Sequence, residues 1–242
     1  EPDGRNINDG VGALHPETCA KEVRRRGAHL GIALDGDADR LIVLDEKGNE
    51  VDGDALMALC AAHLLQTRKL KKKTLVATVM SNLGLERAIE AAGGKLVRCP
   101  VGDRYVVETL RAKGYNFGGE QSGHLVFLDH ATTGDGLVGA LQLLALLVES
   151  GRPLSELAAN AMERVPQILL NERFEQRLDL ERMPHAQKSI AAIEKKLGKR
   201  GRVLVRWSGT EPKLRVMIEG PDQTRIESYA REILEAAARD LR

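Results

Sequence analysis

The stretch TLVATVMSNLGLERAIEAAGGKLVRCPVGDRYVVETLRAKG, residues 74–114, decides the fold class. It opens on a β-branched, apolar run over 74–79, the composition of a short strand. Ser81 then stands where an N-cap belongs, and apolar residues recur at helical spacing as far as Gly93-Gly94, a pair suited to ending a helix. Residues 95–99 return to strand composition, and 103–113 predict a second helix that stops at Gly114. Strand, helix, strand, helix in this order implies parallel pairing, because a parallel pair needs a crossover long enough to hold a helix.

Working outward, the spacing predicts strands over 30–34 and 41–44 with a turn at 46–49, then a helix over 54–68 behind an Asp that can cap it. Beyond the deciding stretch, an apolar helix over 134–149 closes at Gly151-Arg152-Pro153. The last third changes pattern: a strand at 165–170, a helix at 186–197, strands at 203–206 and 214–219, and an amphipathic helix at 222–241. The expected fold is α/β, a mixed, largely parallel sheet with helices on both faces, followed by a small α+β C-terminal domain with an antiparallel sheet. Expected boundaries are 1–52, 53–160 and 161–242.

Composition narrows the classes of function. Hydrophobic residues make up 43% and charged residues 29%, the balance of a globular chain able to bury a core. With 36 basic against 35 acidic residues, the net charge of +1 gives no footprint for a nucleic acid or an anionic membrane. The basic runs at 24–26 and 71–73 read as solvated faces. The longest apolar stretches, around 55–65 and 139–148, are too short and interrupted to span a bilayer. Cys19, Cys60 and Cys99 are far apart and outside CxxC spacing, so buried thiols in a reducing, cytoplasmic setting are expected rather than disulfides or zinc. The opening Glu-Pro-Asp-Gly-Arg carries no secretory signal and no initiating Met, which points to a processed product or a piece of a longer polypeptide.

Three polar constellations carry the chemistry. The first is LDGDADRL, which sets Asp35, Asp37 and Asp39 at alternate positions on a strand-end turn. A solvated acidic hairpin would account for the charges. So would a Ca2+ loop, with Glu46 at its twelfth position, but Arg40 stands where that loop wants Gly and 41–44 reads as a buried strand. Mg2+, a hard cation that takes carboxylate oxygens and keeps water or phosphate in its shell, fits best. The second is GGEQSGH, 118–124, whose Glu120, Ser122 and His124 suit vicinal sugar hydroxyls, although an ordinary polar loop is the simpler account. The third is RWSGTEPKLRV, 206–216. Arg206, Ser208, Gly209, Thr210 and Arg215 supply two guanidinium forks, two hydroxyls and a glycine turn fit for a phosphate dianion.

Taken together and in this order, the three motifs resemble the α-D-phosphohexomutases along nearly the whole chain. DGDADR resembles their metal loop, GEQSGH their sugar loop and RWSGTEPKLRVMIEG their phosphate loop. Gln121 and the VGDRYV run at 101–106 resemble most the members that act on glucosamine phosphates; a mannose or glucose branch more typically carries Met at the position of Gln121. Trp207 departs from the small residue or Pro often found there. The resemblance implies a phosphoserine enzyme that interconverts glucosamine 6-phosphate and glucosamine 1-phosphate through a 1,6-bisphosphate intermediate, in amino-sugar and cell-wall precursor synthesis. It implies Mg2+ on Asp35, Asp37 and Asp39, a positioning role for Arg40, sugar contacts from Glu120 and Ser122, and Arg104 or His124 as the proton-transfer group. It also implies N-terminal domains of the same polypeptide carrying the reactive serine, since no TASHNP-like loop occurs in these 242 residues, and it allows a homodimer. Two readings stand beside it: a non-catalytic phosphosugar-binding module, and a phosphatase with an Asp nucleophile, whose companion Thr/Ser and Lys motifs are not evident.

Overall fold

The computed structural model describes residues 3–209 and 211–241, which group into two units, Glu1–Glu163 and Arg164–Arg242. The first unit begins with helix α1 (Pro16–Arg26) and strands β1 (Leu30–Leu34), β2 (Leu41–Asp45) and β3 (Glu50–Val51). These strands form an antiparallel sheet in chain order. There follow α2 (Gly53–Gln66), β4 (Thr74–Thr78), α3 (Leu83–Ala91), β5 (Lys95–Cys99), α4 (Asp103–Lys113), β6 (Phe117–Gly119), β7 (Leu125–Phe127), α5 (Gly136–Ser150) and α6 (Leu154–Ala159).

The four-stranded sheet has the order β5-β4-β6-β7. Strand β4 pairs in parallel with both β5 and β6, and β7 closes the edge antiparallel to β6. All of β4 is buried, which explains why the apolar Leu75, Val76 and Ala77 stand side by side at its centre rather than alternating with polar residues. Leu75 and Ala77 face a core shared with Leu56, Met57, Leu85, Ile89 and Leu143, from α2, α3 and α5. Val76 faces the other way, into a cluster with Cys99, Val106, Leu110 and Val126 that includes α4. Helices therefore cover both faces, as the sequence predicts.

The second unit holds β8 (Gln167–Arg173), α7 (Pro184–Leu197), β9 (Arg202–Trp207), β10 (Lys213–Glu219) and α8 (Gln223–Asp240). Its sheet is antiparallel in the order β8-β10-β9. Leu214, Val216 and Ile218 of β10 pack with Ile193 of α7 and with Ile226 and Ile233 of α8, so the helices cover one face.

Several local expectations shift. Helix α3 is capped by Asn82, whose side chain accepts from the Gly84 N–H at 2.9 Å, and not by the buried Ser81 one position earlier. Helix α7 starts at Pro184, because proline presets the φ of a first helical turn. Strand β8 runs on to Arg173 beyond its apolar pattern, held by its backbone pairing with β10 as far as Lys213. Residues Leu154–Ala159 form α6, and Leu154, Leu157 and Ala158 pack into the first unit's core.

Cys60 and Cys99 are buried, Cys19 is half-buried, and all three are free thiols. Burial pushes Cys60 up to about 12, and burial with the Glu120 charge pushes Cys99 up to about 11. Among the described residues, no helix is long and apolar enough to cross a membrane.

The join between α3 and residue 163 is tight. A Cβ on Gly84 would lie 2.0 Å from the Glu163 carbonyl oxygen. For Gly84→Ala, helix propensity gains ~1 kcal/mol, whereas overpacking against backbone costs about 1–3 kcal/mol. The expected result is net destabilisation, read as a lower urea midpoint; a raised midpoint would show that residue 163 yields without cost.

Candidate functional site

Residues 35–40 connect β1 to β2. The turn is closed by the Ala38 N–H donating to the Asp35 carbonyl at 3.1 Å, with Ala38 itself left-handed at φ 61°. One oxygen each of Asp35, Asp37 and Asp39 falls within 4.8 Å of the others. An all-oxygen set at this spacing fits a hard cation, since oxygens on one octahedral Mg2+ lie ~3–4 Å apart and a modest rotation closes the difference. Asp35 is the anchored member, its side chain 1% exposed. Burial opposes its ionisation, but the Arg40 N–H at 3.1 Å and the Arg40 guanidinium outweigh that and hold the carboxyl below the usual range. The turn is tied to α5 by the Gly136 N–H, which donates to the Ala38 carbonyl at 2.9 Å. Gly136 leaves little room for a side chain, because a Cβ there would lie 3.0 Å from the Ala38 carbonyl oxygen and 3.1 Å from that of Arg40.

The GEQSGH loop is the turn of the β6–β7 hairpin. Its path is set by backbone bonds, Glu120 N–H to the His124 carbonyl at 2.9 Å and Gly123 N–H to the Glu120 carbonyl at 3.1 Å. It rests on the start of α2: the Gly53 N–H donates to the Gln121 carbonyl at 3.2 Å, and a Cβ on Gly53 would meet the Glu120 carbonyl oxygen at 2.3 Å.

These two loops are joined. Arg40 and His124 form an isolated antiparallel bridge, and the Leu41 N–H donates to the Gly123 carbonyl at 3.0 Å. Side chains repeat the link. His124 Nε2 lies 3.0 Å from Asp39 Oδ2, and Nδ1 lies 3.2 Å from Glu120 Oε2, with Ser122 Oγ at 3.4 Å. Burial works against a charge on His124, but Glu120 and Asp39 together raise its pKa above the ordinary value. Burial likewise opposes the Glu120 charge, and His124 with the Gly102 N–H, donated to Oε1 at 3.0 Å, brings that carboxyl below its usual range. Ser122 is exposed at the tip. Arg104 is exposed on the first turn of α4; its guanidinium lies over Tyr105, 4.7 Å from the ring centroid, and 3.8 Å from Glu108. It is near the loop in sequence but not drawn into this cluster.

In the second unit, Arg206 and Arg215 are directly opposed across β9 and β10. Burial first, then repulsion from Arg215, pushes the Arg206 guanidinium below its ordinary value. Arg215 Nη2 reaches the buried Ser208 Oγ at 3.4 Å, and its buried Nε has no hydrogen-bond partner among the described residues. Gly209 is exposed with open space around it, and Thr210 lies outside the described residues. Trp207 packs in the helix-covered core, with Nε1 donating to the Leu178 carbonyl at 2.7 Å and Phe174 edge-on at 6.1 Å, so its bulk does not crowd the arginine face.

Sequence reasoning missed Gly102, Gly53 and Gly136. None has a side chain to advertise a role, and the only trace of each was a Gly beside an acidic residue.

Residues 52–165 match the family model described as phosphoglucomutase/phosphomannomutase, alpha/beta/alpha domain III, and residues 169–236 match that family's C-terminal domain. The chain belongs to the phosphohexomutase family. Among curated phosphohexomutases it is 63% identical over 241 residues to the phosphoglucosamine mutase of Sorangium cellulosum, covering all of this chain and 50% of that protein. It is 60% identical over 240 residues to the phosphoglucosamine mutase of Myxococcus xanthus, covering 99% of this chain and 52% of that one. The chain thus spans about half the length of the curated relatives it matches. Among solved structures, a phosphoglucomutase/phosphomannomutase family protein from Burkholderia thailandensis aligns with a TM-score of 0.76 at 24% identity, over 94% of this chain and 51% of that one. The N-acetylphosphoglucosamine mutase of Aspergillus fumigatus, solved with GlcNAc-6P and magnesium, aligns at 0.72 and 22% identity, over 96% and 53%. At these identities the likeness is one of fold.

Arg40→Ala tests the anchoring of the acidic turn. Asp35 keeps one backbone donor and loses its guanidinium, which is expected to cost about 1–3 kcal/mol of stability in a urea titration. An unchanged midpoint would mean that water solvates Asp35 after all.

Proposed function

We propose that the chain is the part of a phosphohexomutase that holds the metal, the sugar and the non-reacting phosphate while glucosamine 6-phosphate and glucosamine 1-phosphate are interconverted. The observation that carries this reading is the physical union of the acidic turn and the GEQSGH loop through the Arg40–His124 bridge and the Asp39–His124–Glu120 contacts. A cation and a polyol would then be gripped in one frame. The high identity to curated phosphoglucosamine mutases supports the amino-sugar choice.

In this reading Asp35, Asp37 and Asp39 hold Mg2+, which supplies positive charge to an oxygen of the transferring phosphoryl group. Arg40 both fixes Asp35 and lends charge beside it. Glu120 accepts from sugar hydroxyls and Ser122 donates or accepts, contacts that serve a substrate presented in either orientation. The opposed Arg206 and Arg215 share a phosphate dianion, whose charge relieves their mutual repulsion, with Ser208, Gly209 and Thr210 completing the grip. Holding the idle phosphate fixes the distance and direction of the reacting end. Arg104 and His124 are the candidates for moving the hydroxyl proton. The phosphoryl donor is a phosphoserine outside these 242 residues, the free intermediate is the 1,6-bisphosphate, and the setting is the cytoplasmic synthesis of cell-wall precursors.

Calorimetry on this chain should record Mg2+ binding that Asp37→Asn weakens at least about tenfold, or ~1.4 kcal/mol. Inorganic phosphate binding should be lost in Arg206→Ala, Arg215→Ala and survive Asp37→Asn. In the longer polypeptide, turnover with Mg2+ and bisphosphate activator should favour glucosamine phosphate. Faster turnover of mannose or glucose phosphates would move the assignment to that branch, and robust turnover by the 242 residues alone would overturn the external donor.

A further inference from the structure

A continuous polar line runs from the acidic turn to the start of α4. Asp39 Oδ2 meets His124 Nε2 at 3.0 Å, His124 Nδ1 meets Glu120 Oε2 at 3.2 Å, and Glu120 Oε1 accepts from the Gly102 N–H at 3.0 Å. The line becomes more enclosed along its length: the Asp39 side chain is 33% exposed, His124 17% and Glu120 9%. Each ring nitrogen of His124 already faces a carboxylate, and each Glu120 oxygen already has a donor. A side chain pinned at both ends transmits displacement rather than absorbing it, and in a poorly solvated setting the electrostatic links are stronger than in water.

We infer that His124 is a positioning residue that couples cation binding at the acidic turn to the placement of Glu120 and Gly102. This inference rests on the reading of the three aspartates as a cation site. When a cation draws the Asp39 carboxylate towards Asp35 and Asp37, the imidazole follows its partner, Glu120 follows the imidazole, and the Gly102 N–H is re-aimed. Gly102 is the N-cap of α4, the helix whose first turn carries Arg104. Metal occupancy thereby sets the sugar-facing carboxylate and the start of that helix together. The backbone bridge between Arg40 and His124 also leads to Glu120, through the Gly123 N–H on the Glu120 carbonyl, and substituting the His124 side chain while that backbone stays in place separates the two paths. His124 is then occupied as a brace, which leaves Arg104 as the remaining proton-transfer candidate of the two.

The far end of the line supplies the readout. Amide spectra of the 15N-labelled chain during titration with Mg2+ alone should show the Asp37 and Gly102 resonances moving with one midpoint. In His124→Ala the Asp37 shift should persist and the Gly102 shift should be lost. His124→Gln, closer in size but with both donors on one nitrogen that cannot span the two carboxylates, should behave the same way and serves if the alanine variant fails to fold. Resonances of β4 and α4 report folding in each case. Gly102 moving with Asp37 in the variants, or staying still in the wild type while Asp37 moves, would overturn the coupling. An Asp37 resonance that Mg2+ never shifts would instead overturn the cation reading, and the coupling with it.

Discussion

Three carboxylates held within 4.8 Å of one another repel, and the first unit's site is arranged around that repulsion. Asp35 is countered by Arg40 and Asp39 by His124, while the exposed Asp37 has no ion pair among the described residues. The two countering residues face each other in the β-bridge that joins the acidic turn to the β6–β7 hairpin. The groups that make the charge density tolerable are therefore also the groups that connect the two loops.

The second unit meets the same problem with the opposite sign. Arg206 and Arg215 stand across from each other on neighbouring strands, a cross-strand pairing that is unfavourable by itself. Burial deepens the conflict, as the lowered pKa of Arg206 records. Ser208 gives one guanidinium a neutral acceptor without cancelling its charge. Among the described residues one buried donor there, Arg215 Nε, has no hydrogen-bond partner, and the neighbouring Gly209 turn is open.

Much of this was legible in the sequence, for identifiable reasons. Strand β4 was plain because burial on both faces leaves an unbroken apolar centre, Leu75 to Ala77, between β-branched threonines, and α4 because it ends at a left-handed Gly114. Strands β6 and β7 were not, since three residues each, two of them glycine in β6, carry almost no propensity. The cap of α3 slipped by one residue because Ser81 and Asn82 cap about equally well and only packing chooses between them. The three aspartates stood out in the sequence by their alternation together with the following Arg40, and their carboxylates do converge to within 4.8 Å. Their ties to His124 and Glu120 were not, because those contacts arise from the register of β2 against the hairpin, which no local pattern encodes. Arg104 drew notice by its motif, yet Glu108 and Tyr105 take its guanidinium.

The GEQSGH loop leans on backbone rather than on side chains at almost every support. Gly53 presents a bare Cα to the Glu120 and Gln121 carbonyls, and Gly119 and Gly123 approach the His124 and Leu41 carbonyls too closely for any Cβ. Such a loop has little freedom to find a new path as a lineage diverges. Any change in what this loop presents has to work through the tip, at Gln121 and Ser122, while the mount stays where it is.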